Sequence, residues 1–225
     1  LYNEKMEFSK FREGRFFEMT LSLLFSFLGA AILLSLMPGP DNLFVMAQSL
    51  TQSWKAGVYT TLGLCTGLIV HITAAVLGIS AIIYQSTIVF TIVKWAGAAY
   101  LLYLAWQSFR AKDDPFIIKS QKKLAYKDLY KRGILMNVLN PKVSLFFLAL
   151  LPQFINPTAG QVSLQMLILG VVFLVQAFML FSLFSIFAGT LRKWLIGKPV
   201  IAKRMNKIQG VLFVLIGLKI AFSER

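Results

Sequence analysis

The chain has 225 residues, of which 57% are apolar and 14% charged, and its formal net charge is +14. That is too apolar for a soluble domain of this size, so the positive charge is not the footprint of a nucleic-acid binder; the basic residues stand in loops between apolar runs, where they face an anionic leaflet. One cysteine, Cys65, and one histidine, His71, exclude a disulfide and a side-chain metal cage.

Leu1 to Glu18 are mixed in charge and lack the apolar core of a signal peptide. Met19 stands directly before the first apolar run and reads as the natural start, with 1–18 an extension; an amphipathic surface helix is the alternative. The first run is Thr20 to Met37. Leu36-Met37-Pro38-Gly39-Pro40-Asp41-Asn42 interrupts it, and Leu43 to Leu50 resumes it. As one straight helix, the 33 residues from Leu21 to Ser53 would run roughly 50 Å. The hydrocarbon core is about 30 Å thick, so the segment must break, bend or leave the core. Pro38 and Pro40 remove backbone donors, which is tolerated at membrane depth only where the freed carbonyls face protein or water. Asp41 is the one acid with an apolar segment on both sides, and a carboxylate in that setting faces a cavity or a partner. A plain helix end at the interface is the competing reading.

The second run is Ala56 to Tyr84 and the third Thr87 to Phe109. A basic loop, Arg110 to Arg132, divides the chain. The fourth run, Gly133 to Ile155, is interrupted by Asn140-Pro141-Lys142. The fifth is Val162 to Leu191, and a basic linker, Arg192 to Lys207, leads to the sixth, Ile208 to Phe222. The expected architecture is all-α with six spans, or five if a broken segment re-enters.

In the second span, Gly63, Gly67, His71, Ala74 and Gly78 fall within a stripe roughly 80° wide. Gly63-Leu64-Cys65-Thr66-Gly67 permits close helix approach, with Gly78 further along the same stripe. His71 shares that stripe and so faces protein. It reads either as a structural imidazole bonded to a neighbouring helix or as a proton carrier. Gln176 in the fifth span reads as glue between helices.

The halves repeat. Lys94 to Tyr100 and Lys207 to Phe213 both read Lys-x-x-Gly-x-x-aromatic, and Phe109 meets Phe222 at the same offset. The first and fourth runs each carry a proline break, so Asp41 after Pro40 corresponds to Lys142 after Pro141. Like halves of three spans must insert in opposite senses, which gives an inverted repeat whose paired broken helices point to the substrate site. The division is a single membrane domain, 19–222: half-repeat 19–110, cytoplasmic loop 111–132, half-repeat 133–222. Chance likeness between apolar sequences is the competing explanation.

There is no Gly-rich phosphate loop ending in Lys-Ser or Lys-Thr, no G-x-S-x-G and no Cys-x-x-Cys. The chain is therefore not expected to be an enzyme or to carry a cofactor, and an active solute pump of this kind must draw on an ion gradient or on another domain.

Ser35 to Asn42, followed by Gly63-x-x-x-Gly67-x-x-x-His71, resembles the lysine exporter superfamily, in its homoserine/threonine/leucine efflux branch. Asn140-Pro141-Lys142-Val143-x-Leu145-Phe146-Phe147 with Leu151-Pro152-Gln153-Phe154 is similar to that family's second signature. The resemblance runs from Met19 to Phe222 and implies a small inner-membrane exporter of amino acids driven by proton motive force.

The expected function is export of small neutral amino acids across the cytoplasmic membrane by proton antiport. Its partners are then the amino acid, protons and the bilayer, without nucleic acid, and a homo-oligomer is compatible with the sequence. Asp41 and Lys142 offer one charge each to a zwitterion. Asn42, Asn137, Asn140 and Gln153 offer amides, and His71 is the remaining candidate on the pathway. Pro38, Gly39, Pro40 and Pro141 make the helix breaks. A metal-ion exporter or channel on the same scaffold, and a membrane assembly factor, are the alternatives. Metal export would want more thiolates, imidazoles or carboxylates.

Lysine and arginine fix the orientation. Eight lie from Arg110 to Arg132 and six from Arg192 to Lys207, while the second-to-third and fourth-to-fifth turns have none. Reporter fusions in the central loop should therefore report cytoplasm, and fusions after Phe222 periplasm. Both reporters on one side would break the three-plus-three arrangement.

Overall fold

The computed structural model describes residues 21–37, 39–79, 87–110, 123–156 and 161–195, and residues 204, 207–208, 210–211, 213–215, 217–218 and 221–222. Residues 1–18, Pro38 and most of the central basic loop lie outside the described residues. Among the described residues every regular element is helical. They are α1 (Leu21–Leu36) and α2 (Pro40–Thr51), α3 (Trp54–Ala74), α4 (Thr87–Arg110), α5 (Tyr126–Val138), α6 (Pro141–Leu145) and α7 (Val162–Leu195). α3 runs on as a π-helical turn, Ala75–Ile79. α6 runs on as a π turn, Phe146–Leu150, and a 3-10 turn, Leu151–Phe154. Described residues of the sixth apolar run are helical as well.

Local chemistry explains the breaks. A residue before proline is pushed out of the α region. Gly39, before Pro40, is extended (φ −163°, ψ 174°), and Asn140, before Pro141, has φ −77° and ψ 106°. Each proline then sits in the first turn of a new helix, where its missing N–H costs nothing. Asn140 also caps α6, its Oδ1 accepting from the Lys142 N–H at 3.0 Å. The chain bends by 58° between α1 and α2 and by 47° between α5 and the segment from Pro141 to Phe154.

Two helical stretches, Trp54–Gly78 and Val162–Ala188, are each long and apolar enough to cross a membrane, and each bent pair adds one more if it is counted as a single span. Only 33% of the most apolar window of Val162–Ala188 is buried. An apolar helix with that much outward surface belongs in hydrocarbon, where its exposure is not penalised. Two boundaries differ from the sequence reading. The fourth run begins as helix at Tyr126, inside the expected loop 111–132, and α7 continues past Leu191 to Leu195. Hydropathy marks the part of a helix that sits in lipid, whereas backbone hydrogen bonding carries on into the charged turns beyond.

α3 is the central element and packs most extensively on α5 and α7. The contact with α5 is made through glycine. A Cβ on Gly63 would collide with the Tyr130 carbonyl. One on Gly67 would lie 2.8 Å from the Ile134 carbonyl, and one on Gly133 would lie 2.5 Å from that of Thr60. Gly63 and Gly67 thus pack as their spacing predicts, while a Cβ on Gly78 meets nothing within 4 Å among the described residues. The two glycines of the half-repeat motif are also contact points, Gly97 against Ala149 and Gly210 against the Phe109 ring. Polar ties line the same α3–α5 seam. Gln52 exchanges two hydrogen bonds with the Leu124 backbone (2.8 and 3.1 Å), Tyr59 stacks on Tyr126 at 4.7 Å, and Thr66 Oγ1 bonds Tyr130 Oη at 3.0 Å. Buried hydroxyls within the helices are satisfied locally, Thr60, Thr61 and Ser185 each donating to the carbonyl four residues back.

The α3–α5 approach leaves no room for a side chain, so Gly133→Val should cost about 3 kcal/mol as overpacking against backbone. For a chain of this size that lowers the melting temperature by roughly 6–12 °C. Gly78→Ala should shift it by less than about 2 °C, because alanine fits open helix surface. Thermal unfolding in detergent checks both, and an unchanged Gly133→Val protein would mean the two helices do not meet this closely.

Candidate functional site

The two breaks face one another, and a cavity lies between them. Its polar lining is Ser35, Asp41, Asn42, Asn137, Asn140 and Lys142. Its apolar wall comes from α3 (Leu64, Cys65, Leu68) and from α7 (Phe173, Ala177, Phe181). Its volume is about 30 Å³, counted at the centres of water-sized molecules, so it holds about two waters. Asp41, Asn42, Asn137 and Asn140 are all buried, at 4–7% exposure.

α1 ends in carbonyls that have no helical partner, a costly state away from water. Side chains from both breaks satisfy them. Asn42 Nδ2, on α2, donates to the carbonyls of Ser35 (2.7 Å) and Met37 (3.0 Å). Lys142 Nζ, on α6, donates to those of Leu34 (2.8 Å) and Met37 (3.2 Å). A lysine in the first turn of its own helix is placed against that helix's dipole; here its charge sits at the carbonyl end of α1 instead, where the dipole favours it. The fourth-run residue thereby ties the two halves of the chain together.

Asp41 lies in the first turn of α2, favoured by that helix's dipole. Its Oδ2 accepts from Asn137 Nδ2 at 3.3 Å, and among the described residues its buried Oδ1 has no hydrogen-bond partner. Asn137 Oδ1 is buried and unpartnered too. Lys142, His71, Asn137 and Asn140 are the polar groups that act on Asp41. Asp41 and Lys142 therefore share a cavity without a hydrogen bond between them, since the lysine donates to the α1 carbonyls.

His71 does not line the cavity. Its Nε2 donates to the Asn137 carbonyl at 3.0 Å, and its ring lies 6.1 Å from that of Phe147. It stands behind Asn137 and holds the residue that holds Asp41. Gln153, expected beside the amides, lies in the 3-10 turn and is not among the lining residues. The proline at 152 redirects the chain there, which residue type alone does not reveal. Gln176 does join helices, its Nε2 donating to Ser35 Oγ at 2.9 Å. The α7 wall was not anticipated. Its signal was the spacing of Phe173, Ala177 and Phe181, four residues apart, which puts them on one helix face next to Gln176. Among the described residues no three of His, Cys, Asp and Glu come together in a metal-binding group.

Comparison with known proteins gives the family of the chain. The family model for LysE type translocators matches residues 32–224. The chain is 36% identical over 206 residues to the homoserine/homoserine lactone efflux protein of Salmonella typhimurium, covering 92% of this chain and 99% of that one. It is 35% identical over 209 residues to the uncharacterized membrane protein YrhP of Bacillus subtilis, covering 89% and 99%. It is 32% identical over 207 residues to an uncharacterized membrane protein of Vibrio cholerae, covering 92% and 100%. No solved structure matches it. With the match running from within α1 through the last described helical residues, the chain belongs to the family of LysE type translocators, membrane proteins of efflux.

Proposed function

We propose that the protein exports small neutral amino acids of the homoserine type across the cytoplasmic membrane in exchange for protons. One observation carries this reading: a cavity set between two proline breaks holds a carboxylate, an ammonium and three amides. A dipolar solute with polar groups at both ends fits that lining, and a site at paired helix breaks is what a transporter built from inverted repeats needs. The efflux of homoserine and its lactone by the Salmonella relative supports the solute class.

The arrangement we propose is six spans in two inverted halves. It rests on the two bent pairs, on the equivalent glycines Gly97 and Gly210, and on the helical residues in the third and sixth runs. Asp41 is the proton-exchanging group in this reading. Lys142 keeps the α1 break closed and adds positive charge to the cavity, and His71 supports Asn137 from behind.

Everted membrane vesicles test the function. With an acid interior they should accumulate labelled homoserine, and one pH unit of gradient sustains about tenfold accumulation per proton exchanged. A protonophore should abolish the accumulation. Asp41→Asn and Lys142→Met should each reach the membrane and each fail to accumulate substrate. Lys142→Met should also be less stable, because it leaves the buried Leu34 carbonyl without its donor, at about 1–3 kcal/mol. Wild-type accumulation by either variant would make that residue a structural anchor. Accumulation indifferent to the pH gradient would remove proton exchange from the mechanism.

A further inference from the structure

We infer that Asp41 Oδ1 and Asn137 Oδ1 form a subsite for a primary ammonium group, so that the cavity recognises its solute by the amine and not by the carboxylate. The inference rests on the cavity being the solute site and goes further, naming the end of the solute that is read.

The argument is a tally of hydrogen-bonding capacity. Four buried side-chain atoms lack a partner among the described residues: Asp41 Oδ1, Asn137 Oδ1, Gln176 Oε1 and Ser182 Oγ. The two that belong to cavity-lining residues are both acceptors. They sit on side chains joined to each other by the bond from Asn137 Nδ2 to Asp41 Oδ2, and both residues are more than nine-tenths buried. That bond also fixes the amide: turned over, Asn137 would present oxygen to a carboxylate. Asn137 Oδ1 is thus an acceptor by construction. A buried acceptor without a donor is costly, and a charged donor is the strongest match for a carboxylate oxygen.

Beside the Asn140 amide, which also acts on Asp41, two donors of the lining are committed to the end of α1. Asn42 Nδ2 serves two carbonyls of the α1 end, and Lys142 Nζ serves two, sharing Met37 with it. A solute carboxylate would have to draw Lys142 off those carbonyls, leaving that of Leu34 without its donor. A solute ammonium needs no such exchange. It brings three N–H donors to a place that has two unpartnered acceptor atoms and a negative charge. The apolar wall of Phe173, Ala177 and Phe181 faces the remainder of the solute without selecting a second charged end.

Binding to the purified full-length chain in detergent tests this apart from transport. The probes are homoserine, homoserine lactone (an ammonium without a carboxylate) and N-acetylhomoserine (a carboxylate without an ammonium), in mildly acidic choline buffer, read as ligand-dependent thermal stabilisation. The lactone should bind within about fivefold of homoserine, and N-acetylation should weaken binding at least about thirtyfold, the loss of one charged hydrogen-bonded contact. Asp41→Asn and Asn137→Ala should each weaken homoserine and the lactone together, by at least about tenfold. Binding of N-acetylhomoserine as tight as that of homoserine overturns the inference, as does a need for both ends or stabilisation by sodium ions alone. So does a lack of binding by all three compounds. Vesicles that accumulate homoserine while N-acetylhomoserine competes equally would sink the ammonium subsite and leave export standing. The expected binding pattern without accumulation would sink export and leave the subsite.

Discussion

A buried helix break must find partners for its free carbonyls, and the cavity is organised around that requirement. Where little water reaches, most of the donors come from the protein. At the end of α1 they come from Asn42 on the near side of the break and from Lys142 on the other half of the chain. The lysine reaches α1 only because the second break, at Pro141, turns α6 toward the first. Removing either proline would therefore disturb more than its own helix, since each break supplies what the other needs.

The rest of the packing holds these two breaks in register. Glycines let α3 and α5 approach to backbone contact, and that approach places Asn137 next to Asp41 and within reach of His71. The order of support runs from seam to site. The Gly63–Tyr130 and Gly133–Thr60 contacts set the helix spacing, and His71 fixes the turn that carries Asn137. Asn137 then holds one oxygen of Asp41. A histidine in this position serves as a positioning group whatever its protonation, because Nε2 carries the donated hydrogen in either form that can bond a carbonyl.

Much of this was legible in the sequence because prolines, lone charges and glycines are rare in apolar runs and each has a narrow set of physical uses. Pro40 and Pro141 announced the breaks, Asp41 and Lys142 the polar centre, and Gly63 and Gly67 the close seam. Other features were not legible. Phe173 and Phe181 look like any lipid-facing phenylalanine until the neighbour of α7 is known. Gly78 shares the stripe of Gly63 and Gly67, but α3 passes into a π turn at Ala75, and a stripe drawn at 100° per residue no longer applies there. Gln153 follows the apolar turn after α6, where a further proline redirects the chain. Lys142 was legible as a polar residue at the second break, yet its hydrogen bonds to carbonyls were not, because a lysine's reach along its stem cannot be read from spacing.

An asymmetry in Asp41 bears on how exchange would be enforced. One carboxylate oxygen is engaged by Asn137 and the other is free and buried. On the proposed reading, a proton and a solute ammonium would both bind at that free oxygen, and a single buried oxygen between fixed neighbours cannot hold both. Occupancy by one then excludes the other without any moving part. Leaving the oxygen empty is costly, because a buried carboxylate without a donor is the least favourable of its three states. On that reading, a carrier that crosses the membrane with the oxygen satisfied would be coupled, exchanging one cation for the other. Lys142 adds to this from a distance. On the same reading its charge, held on the α1 carbonyls, would keep the cavity from accumulating a second cation once the first is bound.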